Sequence, residues 1–349
     1  MSEISDQLIP WQKKFGRNNL PWQGTNNPYL IWVSEIMLQQ TQVKTVIPYY
    51  QKFIKNFPDI NTLAQADDDD VMKLWSGLGY YARARNLHES AKIIKSKFQG
   101  EFPKKITELI SLPGIGRSSA GAISSFAFNQ KTPILDGNVK RVLARFAAIS
   151  GWPGKTDVMD TLWTLAERNT PDQRIADYTQ AMMDLGATLC KRSSPNCPAC
   201  PLTKKCIAYK QGNPQDYPGK KPKKAIPIRN TCFLMISNNK GELLLQQNPP
   251  TGLWGGLWIF PQCDTTDCIN QALKALGVNA QDYRVLNAKR HTFSHFHLDY
   301  QPIAVNVGAT EIFKDRVSEK GNQVWYNPQK PISLGMPAPI KALFDGLNS

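Results

Sequence analysis

No apolar run in the 349-residue chain approaches the ~18–20 residues that a membrane span needs. The stretch Met1 to Pro10 holds two acids and no apolar segment, so it does not read as a secretory leader. Both absences lead to the expectation of a soluble, cytoplasmic protein. There is no internal repeat, and no low-complexity segment beyond the acidic run Asp67–Asp70, which reads as the first turn of a helix. Cysteine is sparse and unevenly placed. Of seven, four crowd between positions 190 and 206, while Cys232, Cys263 and Cys268 are scattered and read as small core or surface residues. Such usage argues against a disulfide framework and for a metal or redox site.

Acidic residues are in short supply over the first two-thirds. Residues 1–230 hold 32 Lys and Arg against 19 Asp and Glu, and residues 231–349 hold 10 against 9, so nearly all of the net charge of +14 belongs to the first part. That is the footprint of a domain that meets a polyanion. A basic, solvated surface is the plainer account until a motif decides. The densest basic run, Tyr217 to Lys224, carries two prolines and reads as a stiff linker first and a phosphate contact second.

The first part also lacks strand-like alternation. Apolar residues recur at helical spacing in Ile31–Val43, Val46–Phe57, Val71–Trp75, Leu87–Phe98, Ser118–Phe128, Val139–Ile149 and Thr161–Ala166. Residues 1–212 are therefore read as an all-α domain and 213–229, rich in Pro, Gly and Lys, as a linker. The period then changes. Thr231–Ser237 and Glu242–Gln247 are β-prone and joined by the turn Asn238–Gly241, Ile269–Leu276 suggests a helix, and His297–Val307 alternates as a strand. Residues 230–349 are read as an α+β domain, which makes the chain multidomain.

Four motifs bear on chemistry. Cys190, Cys197, Cys200 and Cys206 are spaced C-x6-C-x2-C-x5-C. Four thiolates within so short a loop converge only around a shared positive centre, for which Zn²⁺ and a [4Fe–4S] cluster are the candidates. Leu112 to Ile123, LPGIGRSSAGAI, matches a helix-hairpin-helix. Its glycines let backbone N–H groups point outward together, and the helix that follows presents its positive end to one DNA phosphate. Glu35 stands in the apolar run YLIWVSEIML, where its charged form is disfavoured and its pKa should rise. Asp136, in PILDGNVKRV, taken alone is a routine helix N-cap.

In this order, Glu35, hairpin, Asp136 and four cysteines, the chain resembles the MutY-type A/G-specific adenine DNA glycosylases of the endonuclease III superfamily. The resemblance runs through VSEIMLQQTQV (33–43), LWSGLGYYARARNLH (74–88), PILDGNVKRVLAR (133–145), QAMMDLGA (180–187), GLWGGLWIFP (252–261) and HTFSHFHLD (291–299). It implies a [4Fe–4S] cluster on the four cysteines, a Nudix-like fold for the second domain, and double-stranded DNA with adenine opposite 8-oxoguanine or guanine as the partner of a monomeric enzyme. A monovalent cation at the hairpin, and association with the nucleoid in a bacterium, belong to the same expectation.

Position by position, the resemblance makes Glu35 the general acid that protonates adenine N7 and Asp136 the ionised stabiliser of an oxocarbenium-like sugar, with Asn138 orienting them. Trp22, Gln23, Leu38 and Gln180 match the pocket for the extruded base. Gln40 and Tyr80, with Thr41 and Leu78 beside them, match residues that wedge into the duplex. Gly114, Gly116 and Ser118 match the phosphate-binding hairpin, and Phe293, Ser294 and His295 match a loop that senses 8-oxoguanine. Taken without the resemblance, His291, His295 and His297 would be a metal site or a polar cluster.

Two further absences matter within this frame. Related glycosylases that also cut the strand carry Lys where this chain has Ser118, so base removal without efficient strand cleavage is expected, with Lys140 the candidate for a weak side reaction. A working Nudix hydrolase needs a helix of glutamates, but after Pro261 there is Asp264, Asp267 and no glutamate before Glu311, so recognition without hydrolysis is expected. The alternatives are a bifunctional endonuclease III-like glycosylase, a non-catalytic iron–sulfur DNA-binding protein, and a Nudix hydrolase of oxidised nucleotides.

Overall fold

The computed structural model describes residues 3–222, 225–278, 282–307, 322–332 and 334–346. The chain forms two compact units, one of Met1–Ala66 with Arg83–Lys223 and the other of Asp67–Ala82 with Lys224–Ser349.

The first unit is helical. In chain order it holds α1 (Ser5–Phe15), α2 (Pro28–Leu38), α3 (Val43–Asn56) and α4 (Ile60–Gln65). After α5 (Asp68–Trp75), which belongs to the second unit, come α6 (Ala82–Lys97), α7 (Ile106–Ile110), α8 (Arg117–Phe128), α9 (Gly137–Phe146), α10 (Thr156–Asn169), α11 (Ile175–Thr188) and α12 (Ile207–Lys210). Local chemistry sets several starts. Asn27 caps α2 by accepting from Tyr29 N at 2.9 Å, with Pro28 in the first turn, and Asp59 caps α4 through Thr62 N at 2.8 Å. The acidic run Asp67–Asp70 opens α5, as expected.

Helix α11 packs on α1, α8 and α9, and α2 on α8 and α3. A buried cluster that includes Leu8, Val142, Leu143, Leu162, Met182 and Leu185 fills the space between α1, α9, α10 and α11. One departure from the sequence reading matters for the site. Ile31–Val43 is not one helix: α2 stops at Leu38, and Gln39–Gln42 turn through Gln40, whose φ is +58°. The segment after α12 is also less free than a tether. The carbonyl of Tyr217 accepts from Arg145 Nε at 3.0 Å, and Gly219 N donates to Gly151 O at 2.8 Å.

The second unit is built on an eight-stranded sheet. Its strands are β1 (Ile228–Ser237), β2 (Leu243–Gln247), β3 (Trp258–Ile259), β4 (Gln262–Cys263), β5 (Tyr283–Val285), β6 (Lys289–Thr292), β7 (His297–Asn306) and β8 (Gln323–Tyr326). Among the described residues, helices α13 (Ile269–Ala275) and α14 (Ala338–Asp345) join α5 in this unit. The long central pair, β1 and β7, is parallel, with Ile228 opposite His297 and Ser237 opposite Asn306. The expected Asn238–Gly241 turn joins β1 to β2, closed by Asn238 N donating to Glu242 O at 3.0 Å. Asp69 of α5 accepts from Gln247 Nε2 at 3.2 Å, tying that helix to the sheet. Glu311 lies outside the described residues, as do Lys223 and Lys224 of the basic run.

Two glycines of the first unit mark close backbone approaches. A Cβ at Gly121 of α8 would collide with the carbonyl oxygen of Pro133, and one at Gly186 of α11 would stand 2.6 Å from Asn138 Cβ. Since Gly121 meets backbone that has nowhere to move, Gly121→Ala is expected to cost about 1–3 kcal/mol of stability. That would be read as a lower urea midpoint at an unchanged slope.

Candidate active site

Glu35 lies in the third turn of α2. Its neighbours Ile31, Trp32, Val33, Ile36 and Met37 are buried, whereas Glu35 itself lines two adjoining cavities of about 670 and 650 Å³. Among the described residues, no hydrogen bond reaches its carboxyl. Burial, and then the nearby charge of Asp136, push its pKa up to about 8. The apolar run in the sequence was a sound guide to this shift.

Asp136 is the N-cap of α9 and accepts from Val139 N at 2.8 Å. Burial raises its pKa too, but the amides of Val139 and Asn138 and the guanidinium of Arg141 pull the other way. The cap reading and the catalytic reading of Asp136 thus describe one geometry: the same amides that start the helix favour the carboxylate. Asn138 Nδ2 donates to Asp136 Oδ2 at 3.4 Å, and Asn138 Oδ1 accepts from Arg141 Nη2 at 2.8 Å. Arg141 also donates to Gly186 O at 2.7 Å and to Cys190 O at 2.7 Å. Glu35, Asp136, Asn138, Ser118, Thr41 and Leu38 share the second cavity.

The first cavity is lined by Trp22, Gln23, Leu38 and Gln180 together with Glu35, so the structure assembles all four expected pocket residues. Trp22 is buried edge-on against Tyr50, with ring centroids 5.3 Å apart. Gln23 is turned back on its own loop, accepting from Leu20 N at 2.9 Å and donating to Arg17 O at 2.8 Å. Sequence reasoning missed Arg17 and Asp184. Asp184 is fully buried and accepts from Arg17 Nε at 2.7 Å, from Arg17 N at 2.8 Å and from Gln180 Nε2 at 2.8 Å, which fixes Arg17 where both cavities meet. The pair is separated by 167 positions, and no local pattern announces it.

The hairpin between α7 and α8 has the expected turn. Gly114 sits at φ +78° and Gly116 caps α8, both exposed. The carbonyls of Pro113 and Gly114 accept from Ser90 Oγ at 2.8 Å and Gln39 Nε2 at 3.3 Å. Ser118, on the first turn of α8, accepts from Leu135 N at 3.0 Å and so ties the hairpin helix to the segment leading to Asp136. Gln40 is exposed and Thr41 half-buried. In the second unit, Tyr80 is exposed with φ +51°, Tyr81 is half-buried, and Leu78 is buried at 6% exposure and offers little surface.

Cys190, Cys197, Cys200 and Cys206 line one cavity with Val142, Leu185, Leu189 and Leu202. Arg145, buried beneath it, donates to Cys190 Sγ at 3.3 Å, Lys191 O at 2.7 Å and Arg192 O at 2.9 Å. Among the described residues, no three His, Cys, Asp or Glu side chains are arranged to hold a single metal ion. That covers His291, His295 and His297 as well. Phe293–Phe296 form the tip joining β6 to β7, closed by Phe293 N donating to Phe296 O at 2.9 Å. The Phe293 ring stacks on Phe296 at 4.5 Å and meets His291 edge-on at 4.7 Å, whereas Ser294 and His295 are exposed.

The raised pKa of Glu35 has a consequence for stability. Its folded value lies above its unfolded one, so folding gains a proton between about pH 4.5 and 8. The associated stability is present below that window and is lost as pH rises through it. Glu35→Gln should therefore leave stability near pH 4 unchanged and raise it at pH 8, by an amount on the order of 1–4 kcal/mol, measured by urea unfolding at both values.

Comparison with known proteins identifies the family. Residues 33–168 match the HhH-GPD superfamily of base excision DNA repair proteins, and residues 232–346 match the NUDIX domain. The adenine DNA glycosylase of Buchnera aphidicola subsp. Schizaphis graminum is 41% identical over 343 residues, covering 98% of each chain. That of Homo sapiens is 35% identical, over 84% of this chain and 65% of its own. Among solved structures, a thermostable thymine-DNA glycosylase superposes with a TM-score of 0.55 at 26% identity, over 60% of this chain and 95% of its own. An endonuclease III in non-covalent complex with DNA, at 24% identity and a TM-score of 0.50, shares the fold over 60% of this chain and 96% of its own. A helical hairpin domain with two paired carboxyls, joined to a NUDIX-type sheet and matched end to end by such relatives, belongs to the adenine DNA glycosylases of base excision repair.

Proposed function

We propose that the protein removes adenine mispaired with 8-oxoguanine or guanine, by extruding it from the duplex and hydrolysing its bond to deoxyribose. The observation that carries the mechanism is the contrast between the two carboxyls. Glu35 has no hydrogen-bond donor to favour its charge and a pKa near 8, so at neutral pH it holds a proton. Burial raises the pKa of Asp136, nearby, as well, but amide donors and Arg141 oppose that shift and favour the carboxylate. A purine protonated at N7 is a far better leaving group, and Glu35 supplies that proton. Asp136 stabilises the positive charge that then develops on the sugar, while Asn138 and Arg141 hold it in place. Glu35, once ionised, takes a proton from the attacking water.

The base would occupy the cavity beside Trp22, Leu38 and Gln180. Gly114, Gly116 and the first turn of α8 would hold a phosphate, and a monovalent cation at the hairpin would add to the same grip. Gln40 and Tyr80 both expose non-glycine side chains from left-handed backbone, a strain that clusters at functional sites. They are read as the wedges that fill the gap. Ser294 and His295 are read as the contacts to 8-oxoguanine. Helix α13, INQALKA, carries no carboxylate to hold Mg²⁺, which supports recognition rather than hydrolysis by the second unit.

The four cysteines fit a [4Fe–4S] cluster better than Zn²⁺. They line one cavity together, and their C-x6-C-x2-C-x5-C spacing is that of the cluster loop the chain resembles. When bound, the cluster would cross-link the loop and offset part of the charge of its thiolates. Roughly four irons per chain are expected by colorimetric analysis; one zinc in their place would reverse the assignment. Ser118 cannot form a Schiff base, so monofunctional chemistry is expected. Lys140, whose ammonium burial disfavours, is the amine through which residual strand cleavage would run.

The deciding assay uses a duplex with adenine opposite 8-oxoguanine. Glu35→Gln and Asp136→Asn should each slow adenine release more than roughly a hundredfold, while binding to the duplex largely survives. The wild-type rate should fall as pH rises through about 8, where Glu35 loses its proton. Free adenine released at wild-type rates by both variants would overturn the assigned roles.

A further inference from the structure

We propose that Arg83 is a positioning residue for base extrusion, holding the turn after α2 in the shape from which Gln40 enters the duplex. The inference rests on the reading of Gln40 as a wedge. Helix α2 ends at Leu38 and leaves its last carbonyls without helical partners. Arg83, from the first turn of α6, supplies them. Its Nη1 donates to Ile36 O at 3.0 Å, Met37 O at 2.7 Å and Gln39 O at 2.5 Å, and its Nη2 donates to Thr41 Oγ1 at 3.1 Å. The side chain is buried, at 8% exposure, so these bonds are shielded from water.

Between the anchored residues stands Gln40, exposed and at φ +58°. A non-glycine residue keeps such a conformation only where its surroundings over-determine it. Here the residue on each side is held by the guanidinium. Gln39 is pinned a second time, its Nε2 reaching Gly114 O and Ser119 Oγ at 3.3 Å each, so the turn is also fastened to the phosphate-binding hairpin. The guanidinium serves four acceptors through a planar fork, which a lysine ammonium, a single point of charge, cannot reproduce. Arg83 plays no part in raising the Glu35 pKa, whose causes are burial and Asp136. Its loss should therefore disturb extrusion and leave the proton alone.

The experiment uses the full-length protein and two readouts. In a Glu35→Gln background, where no bond is cut, fluorescence of 2-aminopurine placed opposite 8-oxoguanine reports the base leaving the stack. In the otherwise wild-type protein, single-turnover excision of adenine is followed against pH. Arg83→Lys should lower the fluorescence rise and slow excision ~10-fold or more, with the pH at which the rate falls unchanged. Thr41→Val, which removes the Nη2 bond together with the 3.4 Å hydrogen bond from Thr41 Oγ1 to Gln39 O and leaves the core intact, should shift both in the same direction by a smaller factor. Gln40→Ala is the control. If it leaves the fluorescence at the wild-type level, the wedge reading itself fails. If it lowers the signal while Arg83→Lys and Thr41→Val do not, the role of Arg83 is overturned. A shift of the pH limb in Arg83→Lys would overturn it too, since the residue would then act on Glu35.

Discussion

The site depends on a half-buried carboxyl that, among the described residues, no hydrogen-bond donor reaches. A buried acid can lower its free energy either by gaining hydrogen bonds to its charged form or by keeping its proton. Glu35 projects from the middle of α2, where every backbone N–H is already committed to the helix, so only the second course is open. Asp136 projects from the start of α9, where backbone N–H groups have no helical partners and the helix dipole is positive. Two nearby carboxyls cannot both ionise cheaply. The amides at the start of α9 favour the charge on Asp136, and on the proposed reading the division of labour in the reaction follows from that difference.

For that contrast to matter, the start of α9 must be brought to the side of α2 and kept there. Close approach is secured by glycine: Gly121 lets α8 lie against the Pro133 carbonyl, three residues before Asp136, and Gly186 lets α11 lie against Asn138. Retention is secured by arginine. Arg141 donates to Asn138, to Gly186 and to the carbonyl of Cys190, so the residue beside Asp136 and the first cysteine of the loop share one guanidinium. Arg145, one turn further along α9, holds the same loop through Cys190 Sγ, Lys191 O and Arg192 O. A loop without regular structure is thereby fixed along α9, so the four cysteines are tied through two arginines to the helix that Asp136 caps.

What could be read from the sequence follows the range of the interaction responsible. Glu35 was legible because its environment is its own helix, and the run YLIWVSEIML already displays it. Asp136 was legible as a cap for the same reason, and the hairpin because glycine announces a left-handed turn. The end of α2 was not. Apolar spacing continues through Val43, and the carbonyls at the end of the helix are met by Arg83, which is remote in sequence and, as a charged residue, would ordinarily be expected at the surface. Arg17 and Asp184 were missed for a similar reason: nothing near either residue signals a fully buried aspartate. In the second unit the β1–β2 hairpin and α13 were visible from local pattern, but the parallel pairing of β1 with β7 joins strands separated by about sixty residues and has no local signature.

On the proposed reading, the second unit shows how a NUDIX-type sheet whose helix α13 carries no carboxylate could serve recognition. Recognition requires a few polar groups held still before the ligand arrives, because ordering them on binding weakens the complex. The tip between β6 and β7 meets that condition through its apolar part. Phe293 packs against Phe296, His291 and Trp254, with ring centroids 4.5 to 5.7 Å away, and the backbone closes across it from Phe293 N to Phe296 O. Arg229 lies over the far member of this group, 4.5 Å from the Phe296 ring. Phe293 therefore anchors the tip, and the exposed pair Ser294–His295 takes its position from that anchor. On the proposed reading, specificity for the base opposite adenine resides in two small polar side chains, and the aromatic residues around them fix the place at which those side chains meet the DNA.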